Sequence, residues 1–226
     1  MTGEAGPRGV FVTGTGTEVG KTVVAAVIAH SLAAAGKRVA VFKPAVTGLD
    51  DPPADADHEL LRLAAGSDQS DDEIAPYRYG PPASPHLAAT MTGEEIDPQR
   101  LVEAARAAAD GADALVCEGV GGLLVPLSHG YSVRDLAVDL VLPLVIAASP
   151  GLGTINHTLL TVEAARAAGL EVASVVLTPW PEQPTRIEES NRETIAALGE
   201  VEVEVLPQID PANPESWPPM GRFVEI

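Results

Sequence analysis

A glycine-rich run near the start of the chain has the composition of a phosphate-binding loop. Residues 14–22 read GTGTEVGKT, and the run ends in Gly20, Lys21 and Thr22. In such loops, backbone N–H groups surround the phosphates, the lysine contacts the β- and γ-phosphates, and the threonine hydroxyl binds Mg²⁺. The usual spacing puts four residues between the first glycine and the Gly-Lys-Thr triplet, but five residues separate Gly14 from Gly20. The run therefore predicts a nucleoside triphosphate site whose loop is one residue longer than usual.

Two charged residues follow apolar runs that are typical of strands. Lys43 stands at the end of the run over residues 38–43, where a second cation beside the loop would neutralise a phosphate during its transfer. The alternative is a surface lysine whose stem packs on apolar neighbours. Glu118 follows residues 114–117 and precedes a glycine-rich run. A carboxylate there is the expected second ligand of Mg²⁺, the alternative being a turn cap. Because glycine backbone allows a ligand to approach closely, the metal role is favoured.

Two helix starts are less specific. Asp57 opens a predicted helix, where aspartate is also a common N-cap residue. A later strand leads through residues 149–153 into a helix that starts near Thr154. Its N-terminus would suit a carboxylate ligand, and ordinary turn chemistry explains it equally well. These residues alone leave both alternatives open.

The elements that position these residues alternate between strand and helix. Continuous runs of Val, Ile and Leu are typical of strands buried on both faces, so they predict a parallel sheet covered by helices. The order predicts an α/β, doubly wound, mostly parallel sheet in a single domain over residues 1–226, with ligands at the carboxyl ends of the strands. Glycines at positions 36, 111, 169 and 199 are predicted to end helices in the left-handed conformation. The predicted strands are residues 10–13, 38–43, 114–118, 142–148, 172–177 and 201–206, and the predicted helices are residues 21–35, 56–65, 98–109, 155–168 and 185–198.

Composition narrows the class of protein. The net charge of −18 argues against a nucleic-acid partner and against an anionic membrane surface. Cys117 is the only cysteine, so an internal disulfide and an all-cysteine metal site are excluded, as is usual in a reducing cytoplasm. No apolar run approaches the length of a membrane span, and residues 1–9 lack the apolar core of a signal peptide. We expect a cytoplasmic protein.

Taken in order, the motifs resemble those of the dethiobiotin synthetase family over nearly the whole chain. The loop of that family contains the extra residue found between Gly14 and Gly20. The other motifs that carry the resemblance are Lys43-Pro44, Thr47-Gly48, Ser84-Pro85-His86, Glu118-Gly119-Val120-Gly121-Gly122 and Gly153-Thr154-Ile155-Asn156-His157.

The resemblance implies a homodimeric enzyme with a P-loop NTPase-like fold. Such enzymes close the ureido ring of dethiobiotin from 7,8-diaminononanoate (7,8-diaminopelargonate), CO₂ and ATP, with Mg²⁺. One amine of the substrate is held as a carbamate, whose oxygen attacks the γ-phosphate to give a carbamic–phosphoric anhydride. The second amine then attacks the carbonyl carbon and expels phosphate. The expected partners are these small molecules and a second subunit, with no nucleic acid and no membrane.

The resemblance also implies which residues form the site. Lys21, Lys43 and Thr17 would be catalytic, and Mg²⁺ would bind Thr22, Asp57 and Glu118, with Asp55 as the alternative to Asp57. The diamine and its carboxylate tail would contact Thr47, Lys43, Gly151, Leu152, Gly153, Thr154 and Asn156, partly across the dimer interface. The nucleotide would contact Gly16, Thr17, Glu18, Val19, Gly20, Lys21, Thr22, Asp57, Glu118, Gly119, Val120, Gly121, Thr178, Pro179, Pro207, Gln208 and Ile209. Two departures concern the tail: Pro150 replaces a lysine of some members, and their tyrosine is absent around Ser190 and Asn191.

Base recognition also departs from the family pattern. Members that read adenine do so largely through an asparagine at the end of the strand that here reaches Leu177. This chain has Thr178 and Pro179, a hydroxyl followed by a residue without an N–H. Backbone groups of residues 207–210 remain as candidates for contacting the base. We therefore expect the site to accept other nucleoside triphosphates besides ATP.

Two other classes of protein share part of the pattern. A P-loop switch ATPase of the partition or cell-division type carries a signature lysine early in the loop, where this chain has Thr15 and Gly16. Such proteins usually have a basic surface, which disagrees with the net charge of −18. A glutamine-dependent amidase of the cobyrinate type needs a nucleophilic cysteine in a further domain, whereas Cys117 lies within a predicted strand.

Overall fold

The computed structural model describes residues 7–50, 57–220 and 223. The strands are β1 (Gly9–Gly14), β2 (Val39–Phe42), β3 (Ala114–Gly122), β4 (Pro126–Ser128), β5 (Tyr131–Ser132), β6 (Leu144–Ala148), β7 (Val172–Trp180) and β8 (Val203–Pro207). The helices are α1 (Lys21–Ala34), α2 (Asp57–Ala65), α3 (Asp71–Ile74), α4 (Pro85–Thr92), α5 (Pro98–Ala109), α6 (Val133–Leu140), α7 (Thr154–Ala167) and α8 (Arg186–Gly199), followed by a 3₁₀ turn at Pro214–Ser216.

Six strands form one sheet in the order β2-β3-β1-β6-β7-β8, and every neighbouring pair is parallel. β4 and β5 form a separate antiparallel pair. Because all six strands run in the same direction, their carboxyl ends meet at one edge of the sheet, where ligands bind in folds of this kind. The structure confirms the predicted α/β class with its parallel sheet.

Hydrophobic side chains cover both faces of this sheet. Successive residues of a strand point to opposite faces, so Val10 and Val12 of β1 pack in one cluster with Ile28 of α1, while Phe11 belongs to the cluster on the other face. Cys117 of β3 lies in that second cluster, and burial raises the pKa of its thiol. The prediction that Cys117 is a core thiol is confirmed.

The outer side of β2 is closed by one side chain. The Gln69 amide accepts a hydrogen bond from Val41 N–H at 2.9 Å and donates one to the Val41 carbonyl at 3.1 Å, as a neighbouring strand would. One residue past the strand, the backbone N–H of Lys43 donates to the Ile74 carbonyl at 2.8 Å. The chain after α2 therefore fixes the end of β2 from which Lys43 projects.

The short helices α3, α4 and α6 were not among the predicted elements. They have 4, 8 and 8 residues, which is too short for a clear helical period. Local signals were present: the carboxylates of Glu73 and Asp135 accept from the backbone N–H of Ser70 and Ser132 at the starts of α3 and α6. The longest described helices have 14 residues, and no described helix has the length and apolar character that a membrane crossing requires.

One predicted helix end was wrong. The three glycines that take a left-handed φ as predicted are Gly36, Gly111 and Gly169. Gly199, in contrast, is the last residue of α8, and Glu200 takes the left-handed φ of 44°. A Cβ on Gly199 would come within 3.1 Å of Val201 and 3.2 Å of Leu159. Packing against α7, and not backbone conformation, therefore explains the glycine at this position.

Candidate active site

The phosphate-binding loop joins the carboxyl end of β1 to the start of α1, as predicted. Glu18 and Gly20 have left-handed φ values of 58° and 84°, which turn the backbone of the loop. A Cβ on Gly14 would lie 2.7 Å from a methyl group of Val19, and one on Gly20 would lie 2.6 Å from a methyl group of Thr178. Because neither position has room for a side chain, the glycines are required by close packing as well as by turn geometry.

The hydroxyl of Thr22 lies between two carboxylates that come from distant parts of the chain. Thr22 Oγ1 is 3.0 Å from Oδ1 of Asp57 and 2.8 Å from Oε1 of Glu118. Asp57 is the first residue of α2, and Glu118 lies in β3, next to β1 in the sheet. The structure thus brings together the three side chains that were predicted to bind Mg²⁺.

Lys43 completes this cluster from the end of β2. Its Nζ donates to Oδ2 of Asp57 at 2.6 Å and to Oε1 of Glu118 at 2.7 Å. The side chains of Lys43 and Glu118 are 4% and 0% exposed, whereas that of Asp57 is 42% exposed. The alternative of a surface lysine is therefore wrong. Lys21 is close enough to Glu118 and Asp57 for their charges to act on its pKa, but its Nζ donates to the Gly16 carbonyl at 2.9 Å.

Burial and charge shift the pKa values of these groups in different directions. Burial lowers the pKa of Lys43, but the charges of Glu118 and Asp57 outweigh it and raise that pKa above its usual value. Burial raises the pKa of Glu118, with Lys43 opposing the shift. Burial also acts to raise the pKa of Asp57, but Lys43 reverses this and holds it below the usual value. The pKa of Lys21 is lowered, chiefly by burial. Lys43 is accordingly held as an ammonium ion.

A pocket of about 460 Å³ opens over this cluster. It lies at the carboxyl edge of the sheet, between the phosphate-binding loop and the segments that follow β2 and β3. The described residues that line it are Thr17, Glu18, Gly20, Lys21, Thr22, Val23, Lys43, Ala45, Thr47, Asp57, Glu118, Val120 and Gly121. Most of the residues predicted for the phosphate, the metal and the carbamate thus face one cavity.

The donor groups fit a magnesium ion. Mg²⁺ prefers carboxylate, hydroxyl and phosphate oxygens, and Thr22, Asp57 and Glu118 supply the first two kinds. Oε2 of Glu118 is buried and has no hydrogen-bond partner among the described residues, so one carboxylate oxygen remains available. Asp55, the predicted alternative to Asp57, lies outside the described residues.

Other predicted residues lie elsewhere at the same edge. Thr178 is buried against Gly20, and Pro207 pairs with Trp180 at the ends of β8 and β7. The predicted tail residues, Gly151, Leu152, Gly153, Thr154 and Asn156, form the loop after β6 and the first turn of α7 and do not line the 460 Å³ pocket. Gly119 is buried, and a Cβ there would lie 2.8 Å from Val133, so its Cα faces α6. The Ser84-Pro85-His86 motif starts α4.

A second cavity, which we call the apolar groove, was not predicted. It has a volume of about 490 Å³ and borders the phosphate-binding loop on the side of α7. Leu124 and Leu160, which line it, are 59% and 56% exposed. The feature of the sequence that could have indicated this groove is the apolar run Leu123-Leu124-Val125, directly after the glycines that end β3. The described residues that line the groove are Thr15, Gly16, Thr17, Gly122, Leu123, Leu124, Val125, Pro126, His157, Leu160, Thr161 and Ala164.

Comparison with known proteins assigns the chain to a family. A family model described as an AAA domain matches residues 8–216. The ATP-dependent dethiobiotin synthetase BioD of Anaeromyxobacter dehalogenans (strain 2CP-1) is 48% identical over 171 residues, which cover 75% of this chain and 76% of the relative. This chain belongs to the dethiobiotin synthetase family. Members from Rhodococcus erythropolis and Bacillus subtilis (strain 168) are 43% and 35% identical, each covering 84% of this chain and 84% and 83% of the relative. As a dethiobiotin synthetase family member, the chain is an ATP-dependent ligase.

Solved structures share the fold at much lower identity. The cell division ATPase MinD of Pyrococcus furiosus superposes with a TM-score of 0.53 at 20% identity, covering 92% of this chain and 86% of that protein. A nucleotide-binding protein from Archaeoglobus fulgidus, solved with ADP, has a TM-score of 0.50 at 18% identity over 91% of this chain and 82% of its own. These similarities show the P-loop NTPase-like fold and nothing further about the reaction of this dethiobiotin synthetase family member.

Proposed function

We propose that the chain makes dethiobiotin from 7,8-diaminononanoate, CO₂ and ATP, acting as one catalytic domain over residues 1–226. The observation that carries the proposal is the convergence of Lys21 and Lys43 with Asp57 and Glu118 in one pocket beside the phosphate-binding loop. Relatives with this named activity are 35–48% identical to the chain. We also propose that the reaction takes place in the cytoplasm, in keeping with the single cysteine of the chain.

The reaction needs no nucleophile from the protein. One substrate amine adds to CO₂ and loses a proton, which gives the carbamate. A carbamate oxygen attacks the γ-phosphorus, the bond from that phosphorus to the β–γ bridging oxygen breaks, and ADP leaves. The second amine then attacks the carbonyl carbon, the carbon–oxygen bond to phosphate breaks, and the amine loses a proton as the ring closes. The chain therefore acts by positioning and by neutralising charge.

The two lysines suit the charge that builds up during the transfer. Both the carbamate and the γ-phosphate are anions, so their approach is opposed by repulsion until cations lie between them. Lys21 projects from the first turn of α1 and Lys43 from the end of β2, and both line the pocket. Thr17 and Thr47 also line it and offer hydroxyl groups to orient the carbamate and the amines.

Thr22, Asp57 and Glu118 would hold Mg²⁺. When bound there, the ion would neutralise phosphate charge and order the triphosphate. The fit rests on two carboxylates that each lie within 3.0 Å of the Thr22 hydroxyl and on Oε2 of Glu118, which has no hydrogen-bond partner among the described residues.

We further propose that two copies of the chain associate through the apolar groove. Leu124 and Leu160 line the groove, and Leu152, in the proposed tail-binding loop, is 95% exposed. An exposed apolar patch of this kind favours association. The proposed tail-binding loop, residues 151–156, does not line the 460 Å³ pocket of its own copy, which agrees with a tail site that the family resemblance places partly across the dimer interface. Light scattering should give the mass of a dimer, and Leu160→Glu should shift it towards the monomer.

The test of the function is phosphate release from ATP, measured with and without the diamine and bicarbonate. The expected result is phosphate release that requires both, with dethiobiotin identified by mass spectrometry in equal amount. Phosphate release at the same rate with and without the diamine would instead support the switch-ATPase class and contradict the proposal.

A further inference from the structure

The proposed metal site already contains a positive charge supplied by the chain. The Lys43 ammonium lies 2.6 Å from Oδ2 of Asp57 and 2.7 Å from Oε1 of Glu118. The Thr22 hydroxyl, which has one proton to donate, lies 3.0 Å and 2.8 Å from oxygens of the same two carboxylates. All three side chains that would bind the metal are therefore engaged with one another or with Lys43, and of the carboxylate oxygens of Glu118 only Oε2 has no partner among the described residues.

When no metal ion is bound, Lys43 supplies the positive charge that stabilises the Asp57 and Glu118 carboxylates. Glu118 is fully buried, and a buried carboxylate without a counter-charge is strongly destabilising. A divalent cation could replace Lys43 as the counter-charge, but two cations at short range beside the buried Glu118 carboxylate repel one another. The two carboxylates therefore bind either the ammonium or the metal ion more favourably than both cations at once.

We infer that Lys43 excludes divalent cations from the nucleotide-free site and yields its place only when a nucleoside triphosphate offers the ammonium new anionic partners. This inference rests on the proposed function, because it takes the triphosphate as the group that receives Lys43. The exchange would bring the ammonium to the phosphates in the same step that admits the metal. Lys43 would then make the binding of the metal ion depend on the binding of the nucleotide.

Lys21 provides the matched comparison. It is a lysine that lines the same pocket, but its Nζ donates to the Gly16 carbonyl at 2.9 Å and not to Asp57 or Glu118. Replacing Lys21 removes the same charge from the pocket without removing a cation from the carboxylates. A difference between the two substitutions therefore reports the direct competition at Asp57 and Glu118, and not the general charge of the pocket.

The experiment measures Mn²⁺ binding to nucleotide-free protein by electron paramagnetic resonance, with Mn²⁺ in place of Mg²⁺ because both prefer oxygen ligands. Lys43→Met should bind Mn²⁺ at least about tenfold more tightly than the unaltered protein, or ~1.4 kcal/mol. Lys21→Met should change the affinity by less than about threefold, or ~0.7 kcal/mol. The gain should disappear in Lys43→Met combined with Glu118→Gln. An unchanged affinity in Lys43→Met, or an equal gain in Lys21→Met, would overturn the inference.

A second measurement needs no substitution and so does not depend on the stability of Lys43→Met. The chain has three lysines, Lys21, Lys37 and Lys43, so the ammonium signals of ¹⁵N-lysine-labelled protein are few. Mg²⁺ alone should leave the Lys43 signal unchanged, whereas Mg²⁺ with a non-hydrolysable ATP analogue should shift it. An equal shift with Mg²⁺ alone would overturn the inference. Diamine-dependent turnover is assayed on the same protein, so failure of the proposed function is recognised separately.

Discussion

Asn191 donates its side-chain Nδ2 to the carbonyl oxygen of Pro150, 2.9 Å away. The same nitrogen is 3.1 Å from the Gly151 carbonyl, and the Asn191 side chain is buried at the side of α8. One residue of α8 therefore holds the loop between β6 and α7. The N-cap of α7 is Gly153, which has no side chain to satisfy the first amides of the helix. The Thr154 N–H donates to the Gly151 carbonyl at 3.3 Å, so among the described residues the amides of Ile155 and Asn156 are the ones that we propose as donors to the carboxylate tail.

Replacing Asn191 should weaken binding of the diamine and spare the nucleotide. In Asn191→Ala the Pro150 and Gly151 carbonyls lose their donor, so the loop is held less firmly. We expect KM for the diamine to rise about tenfold, or ~1.4 kcal/mol, which is the order of one lost hydrogen bond. KM for ATP should stay within about twofold. Steady-state kinetics with each substrate varied in turn gives both values.

The control is a substitution that weakens α8 without touching the loop. The Thr185 hydroxyl accepts from the Ile187 N–H at the start of α8, so Thr185→Ala should lower stability by about 1 kcal/mol. Its KM for the diamine should not change. If Thr185→Ala raises that KM as much as Asn191→Ala does, Asn191 supports the helix and does not position the loop.

The two lysines should be equally necessary for catalysis and unequal for stability. Lys21→Ala and Lys43→Ala should each abolish measurable ring closure, since electrostatic groups at a transferring phosphate are commonly worth about 3 kcal/mol. Lys43→Ala also leaves the Glu118 carboxylate buried without its cation, which should lower the free energy of unfolding by about 3–5 kcal/mol. Burial already disfavours the Lys21 ammonium, so Lys21→Ala should cost less than about 1 kcal/mol.

Kinetics on folded variants and urea unfolding check this pair of expectations. Circular dichroism must first show that each variant is folded under the assay conditions. A Lys43→Ala enzyme that keeps half of its kcat would remove Lys43 from the mechanism. Equal losses of stability in the two variants would mean that the contacts of Lys43 with Asp57 and Glu118 contribute little.

Much of the fold and part of the site follow from local sequence. The phosphate-binding loop could be predicted because its glycines and Lys21 are adjacent in sequence, and β1 and α1 flank them. The hydrogen bonds from Lys43 to Asp57 and Glu118 could not be predicted, because these partners are 14 and 75 positions away from Lys43 in the sequence. Such contacts depend on strand order and on the path of the chain after β2. The prediction that Gly199 ends α8 in the left-handed conformation was wrong for a related reason, since its neighbour Leu159 belongs to a different helix.

The choice of metal ligand can be tested directly. Asp57→Ala and Glu118→Ala should each raise the Mg²⁺ concentration needed for half-maximal activity, because each removes a proposed metal ligand that lies within 3.0 Å of the Thr22 hydroxyl. We expect an increase of about tenfold or more. Asp55→Ala should leave the requirement unchanged and serves as the control. A larger increase for Asp55→Ala than for Asp57→Ala would show that the metal aspartate was wrongly chosen.

The nucleobase site is expected to be permissive. Thr178 is 2% exposed, and its methyl group packs where a side chain on Gly20 would lie. It therefore offers little to an adenine edge, and the exposed Pro179 that follows has no N–H. The two-point contact that an asparagine side chain makes with adenine cannot be reproduced by this pair. Backbone groups of residues 207–210, beyond the end of β8, are the remaining partners, and they suit several bases.

We therefore expect discrimination for ATP over other nucleoside triphosphates of no more than about tenfold, or ~1.4 kcal/mol. Phosphate binding does not depend on the base, because the loop, Lys21 and Thr22 contact only the triphosphate in the proposed complex. A pyrimidine triphosphate, being smaller, should be used at least as well as GTP. The measurement is kcat/KM for ATP, GTP, CTP and UTP at saturating diamine and Mg²⁺. A lead of about a hundredfold for ATP over all three others, or ~2.7 kcal/mol, would show that a contact beyond Thr178 and Pro179 reads adenine.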